Sequence, residues 1–204
     1  MKLYDFPFSP NCRKVRAVAY EVGIAFDPVK VDLIQGEQRA PAFLARNPNG
    51  RVPVLEDGDL VLWESTAILR YLAAGTALLP GDRRVAAEMD RWIAWGLAHL
   101  QPAMSKVAFE RIVKRATGRG EPDLAAAEAG AAEFAALTAV LEGALEGREH
   151  LAGPLTVADF SLAAHYSLAA ACGLDLSGFP RVTAWLERML ARPSLQRALA
   201  EAAA

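Results

Sequence analysis

The chain has 204 residues, 53% of them hydrophobic and 23% charged, with a formal net charge of −2. That length holds one large domain or two small ones with a real core, and that composition is too apolar for disorder. So slight an acidity supplies no field that would draw the chain to nucleic acid or an anionic membrane, and neither is expected as a partner.

The opening MKLYDFPFSP lacks the unbroken apolar core of a signal peptide. The most apolar stretch, residues 160–176, is interrupted by His165, Tyr166 and Asp175, short of the ~18 residues a spanning helix needs. Two cysteines, Cys12 and Cys172, are too few for a disulfide framework and point to a reducing cytoplasm. The histidines, His99, His150 and His165, are scattered, so no metal site is expected.

In chain order, residues 2–6 read as a short strand closed by Pro7. From Pro10 the period changes: Val15, Val18, Ala19 and Val22 form one helical stripe, and Gly23 can end it. Residues 26–31 return to an extended pattern. The pair Asp57-Gly58 predicts a hairpin between residues 52–56 and 60–63. Ser65 opens a second helix with Ile68, Leu69 and Leu72 apolar and Gly75 as its stop. This alternation predicts a small α/β unit.

Residues 75–83 form a Gly- and Pro-containing connector, and everything after it reads as helical. Met89, Trp92, Ile93, Leu97 and Leu100 make a stripe, with Pro102 bending that helix. A loop around residues 118–122 leads to an alanine-rich helix whose Phe134, Leu137, Leu141 and Leu145 share a face. Thr156-Val157-Ala158-Asp159 reads as a capping box, which makes Asp159 an N-terminal cap partner rather than a catalytic acid. Val182, Trp185, Leu186, Met189 and Leu190 form the last stripe, and the alanine-rich tail after Pro193 is expected to fray.

Two segments carry chemistry. In Phe8-Ser9-Pro10-Asn11-Cys12-Arg13-Lys14-Val15 a loop runs into a helix N-terminus, with Pro10 suited to the first helical position. Such a terminus is an anion site, and Ser9 stands immediately before it, as a cap or as a functional hydroxyl. The second is Asn49-Gly50-Arg51-Val52-Pro53-Val54 followed by Trp63-Glu64-Ser65-Thr66. Here another N-terminus can face a carboxylate, and Ser65 taken alone reads as a plain N-cap.

In this order, and with these gaps, the segments resemble the cytosolic glutathione transferases over nearly the whole chain. Residues 43–58, FLARNPNGRVPVLEDG, are similar to that family's approach to its cis-proline turn. Residues 64–72, ESTAILRYL, are similar to its γ-glutamyl-binding helix start, and Thr156 to Asp159 matches its capping box. The resemblance implies an α/β thioredoxin-like N-terminal domain, residues 1–76, followed by an all-α C-terminal domain, residues 83–204. Ser9-Pro10-Asn11-Cys12 resembles the glutaredoxin loop with serine in place of the leading nucleophile. That is the pattern of a bacterial serine-type member of the theta, phi or zeta kind.

The resemblance further implies that Ser9 hydrogen-bonds the sulfur of glutathione, the co-substrate, while Asn11, as in the similar Thr-Pro-Asn loop of the nu class, also faces it. Val52, ahead of Pro53, pairs its backbone with the cysteinyl part. Glu64 and Ser65 hold the γ-glutamyl end, and Arg39, with Gln38 and Arg51, meets the rest of the tripeptide. Phe8 with Met104, Val107, Ala108 and Phe109 is assigned to the apolar electrophile. A homodimer serving cytoplasmic detoxification is the family expectation. A disulfide reductase or thiol transferase working through Asn11 or Cys12, an isomerase of the same fold, and a non-catalytic interaction protein remain as alternatives.

Overall fold

The structure is a computed structural model and describes residues 1–201. It divides into two compact units, Met1–Pro80 joined by the chain from Leu190 onward, and Gly81–Met189.

The first unit is a four-stranded sheet in the order β2-β1-β3-β4, built from β1 (Lys2–Asp5), β2 (Asp27–Lys30), β3 (Val54–Asp57) and β4 (Leu60–Trp63). Helix α1 (Pro10–Glu21) crosses over between β1 and β2, which are parallel, as a strand–helix–strand unit requires. A short helix α2 (Pro41–Leu44) precedes β3, which runs antiparallel to β1 and to β4. The hairpin turns at Gly58-Asp59, one residue later than Asp57-Gly58. Asp57 still pairs with Leu60 in the ladder, and Gly58 takes the left-handed φ of 62° that the two-residue turn demands. Helix α3 (Ser65–Ala73) buries Ile68, Leu69 and Leu72, and α1 buries Val15, Val18 and Ala19, with the two helices packed together.

The second unit is helical. Helix α4 (Arg83–Trp95), α5 (Gln101–Ala108) and α6 (Lys114–Thr117) run on without a break in helical backbone, joined by π-helical turns over Gly96–Leu100 and Phe109–Val113. The first of these turns lies directly before Pro102, whose missing N–H and ring bulk disfavour a regular i→i−4 ladder. The remaining helices are α7 (Leu124–Ala144), α8 (Val157–Tyr166) and α9 (Pro180–Leu190). Among the described residues α7, rather than residues 160–176, is the helix long and apolar enough, by length and composition alone, to cross a membrane. Its inward stripe is Ala127, Gly130, Phe134, Thr138 and Leu141, packed on α5. Thr138 therefore takes the place expected for Leu137, which is half-buried. The Thr138 hydroxyl donates to the Phe134 carbonyl at 2.7 Å and lies 3.1 Å from the Tyr166 hydroxyl, so the core carries no unpaired polar group there.

The tail after Pro193 does not fray where it is described. Helix α10 (Pro193–Ala200) buries Leu195 and Ala198 and packs on α1, which places it in the first unit rather than with residues 83–189. The last three residues of that tail lie outside the described residues.

Candidate functional site

After β1 the chain turns over Phe6-Pro7-Phe8-Ser9, closed by the Ser9 N–H donating to the Phe6 carbonyl at 2.9 Å. Pro7 and Pro10 occupy turn and first-helical positions that want their fixed φ. Ser9 is the N-cap of α1: its carbonyl accepts from the Arg13 N–H at 2.9 Å, and its Oγ accepts from the Cys12 N–H at a long 3.4 Å. It is thus both the cap and a half-buried hydroxyl. A weakly used cap leaves the positive end of α1 available to an anion.

A second N-terminus meets the first. Ser65 is not the N-cap of α3, as its type alone suggests. Glu64 holds that position with φ 69° and ψ 106°, its side chain makes no capping bond, and it is exposed. Ser65 is the first helical residue, and its buried Oγ donates to Asn11 Oδ1 at 3.3 Å. That bond brings residues 54 positions apart into one corner. The next hydroxyl, Thr66 Oγ1, is buried without a hydrogen-bond partner.

The third element is the turn before β3. The Val52–Pro53 bond is cis. Asn47, which the sequence did not single out, organises this turn. Its Nδ2 donates to the Arg51 carbonyl at 2.7 Å, and its Oδ1 accepts from the Asn49 N–H at 3.0 Å. The Asn-Pro-Asn-Gly run was the available signal, since short amide side chains hold turns of this kind. Gly50 has φ 59°, and a Cβ there would sit 3.0 Å from the Gln38 carbonyl and 3.1 Å from Arg39 Nη1. Only glycine permits that approach, which places Gln38 and Arg39 against the Arg51 turn. Arg39 and Arg51 are exposed.

The charge beneath this corner was not legible. Lys14 and Arg16 are fully buried, and Arg13 nearly so, in the first turns of α1. Burial lowers the Lys14 ammonium to a pKa of about 8, with Glu64 and then Cys12 acting in the opposite direction. Cys12 is fully buried, and burial followed by the neighbouring Asp5 carboxylate pushes its thiol well above the ordinary value. Such a thiol is a poor nucleophile at neutral pH.

The residues assigned to an electrophile separate. Phe8 is 61% exposed and Phe109 38%, while Ala108 is half-buried. Met104 and Val107 are instead core residues. Val107 points at α7, where a Cβ added to Gly130 would meet its Cγ2 at 2.9 Å. Both lie on the inward face of α5.

A sheet with β2-β1-β3-β4 order and a cis-proline turn define a thioredoxin-like first unit, in which α1 starts on one long cap bond and α3 on no side-chain cap. Residues 1–74 match the family model for the glutathione S-transferase N-terminal domain and residues 100–193 that for the C-terminal domain. The chain belongs to the glutathione S-transferase family. It is 39% identical to glutathione S-transferase 3 of Zea mays, over 98% of this chain and 93% of that protein. Among solved structures, glutathione transferase F7 from Populus trichocarpa superposes with a TM-score of 0.91 at 29% identity, covering 98% of both chains. Glutathione S-transferase I from maize, in complex with an atrazine–glutathione conjugate, has a TM-score of 0.90 at 30% identity, covering 99% of this chain and 97% of the other.

Proposed function

We propose that the chain is a glutathione transferase in which Ser9 and the N-terminus of α1 stabilise the thiolate of bound glutathione for attack on a small apolar electrophile. The observation that carries this reading is the Ser65–Asn11 hydrogen bond, which joins two under-capped N-termini into one anion-receiving corner. A glutathione thiol titrates near ~8.5, and lowering that by ~2 units needs ~2.7 kcal/mol of preference for the anion. A hydrogen bond to a charged group contributes roughly 1.5–3 kcal/mol and a helix N-terminus ~0.3–1, so Ser9 and α1 suffice without an ionised base. Asn11, with its oxygen engaged by Ser65, keeps its amide N–H groups for the same sulfur.

In this reading the backbone of Val52, ahead of Pro53, pairs with the cysteinyl residue. Glu64 and Ser65 hold the γ-glutamyl amine and carboxylate, and Gln38, Arg39 and Arg51 meet the glycyl end. Phe8, Ala108 and Phe109 are the side chains assigned to the electrophile. The two cysteines are free and buried, which suits a cytoplasmic protein. Exposed Leu60, Val61, Trp63 and Tyr71 on β4 and α3 give a second copy of the chain an apolar surface to cover.

Conjugation of a chloronitrobenzene with glutathione tests the chemistry. Ser9→Ala is expected to slow turnover at neutral pH by about 10- to 100-fold, the loss of one charge-assisted hydrogen bond, while retention on immobilised glutathione persists. Undiminished turnover removes Ser9 from the mechanism. Thiol-transferase activity that collapses in Cys12→Ser would instead favour a disulfide-exchange enzyme, against which the burial of Cys12 stands.

A further inference from the structure

Arg16 sits on α1 two turns beyond Ser9, with a side chain only 1% exposed. A guanidinium there is costly to bury unless it is paired, and its planar fork offers five donors. Nη1 is paired with the Asp5 carboxylate at the end of β1. Nη2 donates to two carbonyls, those of Pro7 and Ala198, each at 3.0 Å, and Nε lies 3.1 Å from Glu201 Oε2. One side chain therefore joins the strand end, the turn that delivers Ser9, and helix α10.

The Pro7 carbonyl is the informative partner. It belongs to the central peptide of the Phe6-Pro7-Phe8-Ser9 turn, the group whose flip interconverts the two common turn types. A donor fixed on that oxygen holds the peptide in one orientation and so sets where the next residues, Phe8 and Ser9, point. A charge-assisted hydrogen bond from Ser9 loses strength steeply with distance and angle, so the turn's orientation controls how well the thiolate is stabilised. We propose that Arg16 is a positioning residue for the thiolate corner, its guanidinium holding the Pro7 carbonyl against the C-terminal helix so that α10 braces Ser9. The inference rests on the reading of Ser9 given above.

The control lies at the other end of the same helix pair. Arg192 is ion-paired with Glu21, and Ser194 donates to the same carboxylate, tying α10 to α1 without touching the Ser9 turn. A purely structural role for Arg16 would make the two tethers equivalent.

The test is an ultraviolet titration of the glutathione thiolate on the full-length protein, read beside the dissociation constant for glutathione and the melting temperature. Arg16→Met is expected to raise the midpoint of thiol ionisation by about half to one pH unit, which slows conjugation about three- to tenfold below the midpoint and spares it well above. The dissociation constant should stay within about twofold, because the γ-glutamyl and glycyl contacts are untouched. Arg192→Gln should lower the melting temperature and leave the midpoint in place. Should Arg16→Met fail to fold, Arg16→Lys serves: it keeps the buried charge beside Asp5, cannot fork to both carbonyls, and is expected to raise the midpoint as well. A midpoint unmoved in the folded Arg16 variants, or moved equally by Arg192→Gln, overturns the proposal alone. A wild-type chain that binds glutathione without acidifying its thiol overturns the reading of Ser9 and this inference together.

Discussion

The start of α8 and the starts of α1 and α3 face the same chemical problem, backbone N–H groups that have no partner within the helix. At α8 the problem is solved inside the protein. The Asp159 carboxylate, fully buried, accepts from the Thr156 N–H, the Leu151 N–H and Trp185 Nε1, each at 3.0 Å, while Thr156 Oγ1 accepts from the Ala158 N–H at 3.3 Å. At α1 the cap bond is long, and at α3 no side chain caps at all. A helix start that is satisfied internally is scaffold, however acidic its residues. One left short of partners, in an exposed corner beside another like it, is where an anion belongs. The contrast separates Asp159 from Ser9 more sharply than residue type does.

The contrast is broken most severely from its satisfied side. Asp159→Ala removes one carboxylate and strands four buried donors, the Thr156 hydroxyl being the fourth, so unfolding should become easier by about 3–5 kcal/mol. Calorimetry should register that as a melting temperature lower by about 10–15 °C for a chain of this size. A shift of only a few degrees would mean that the carboxylate is not the keystone the geometry suggests.

Lys14 sharpens the other side, because it places positive charge in the first turns of α1. Its pKa in the native state is about 8, below the ordinary 10.5. A base held below its unfolded value binds its proton more weakly when folded. Its burden on stability is therefore full below about pH 8 and is relieved as pH rises from there toward about 10.5. Denaturant midpoints should climb across that window, by a fraction of an upper bound of about 3 kcal/mol set by the pKa difference. Lys14→Met should flatten the climb, and an identical pH profile in that variant would rule out a buried ammonium as its cause.

Much of this contrast was readable in the sequence. The capping box at Thr156–Asp159 and the Pro10 helix start are local chemistry, encoded within four residues. The sheet and the α1 and α3 stripes follow from hydrophobic periods of 2 and 3.6. Other features depend on partners far away in the chain. Thr138 belongs in the core only because the Phe134 carbonyl and Tyr166 are there to receive it. Arg16 is buried only because Asp5, Pro7 and residue 198 converge on it. The tail beyond Pro193 looks like fraying alanine until α1 supplies a surface for Leu195 and Ala198. Hydrophobic patterning registers what a side chain avoids, and these positions are defined by what a side chain meets.

Ser65→Ala tests whether the α3 terminus works as a receptor. It deletes a hydroxyl assigned to the γ-glutamyl carboxylate and the donor that orients Asn11. The glutathione dissociation constant should rise about tenfold, the worth of one hydrogen bond to a charged group, with the melting temperature almost unchanged. A comparable loss of stability with unaltered binding would move Ser65 from the receptor to the scaffold.

The smallest expected effect is the most diagnostic, because its two halves have opposite signs. Glu64 holds φ 69°, a left-handed backbone that costs a residue with a Cβ about 1–2 kcal/mol and costs glycine little. Strain of this size persists where the surroundings enforce it, and it collects at sites that hold ligands. Glu64→Gly relieves the strain and, after the greater flexibility of an unfolded glycine is offset, should leave stability equal to wild type or higher by up to about 1 kcal/mol. The same change removes the carboxylate assigned to the γ-glutamyl amine, so glutathione affinity should fall about three- to tenfold. A terminus that served only the fold would gain stability and lose nothing. One that serves a ligand gives up affinity while the protein melts no earlier, a split between calorimetry and binding that a packing defect cannot produce.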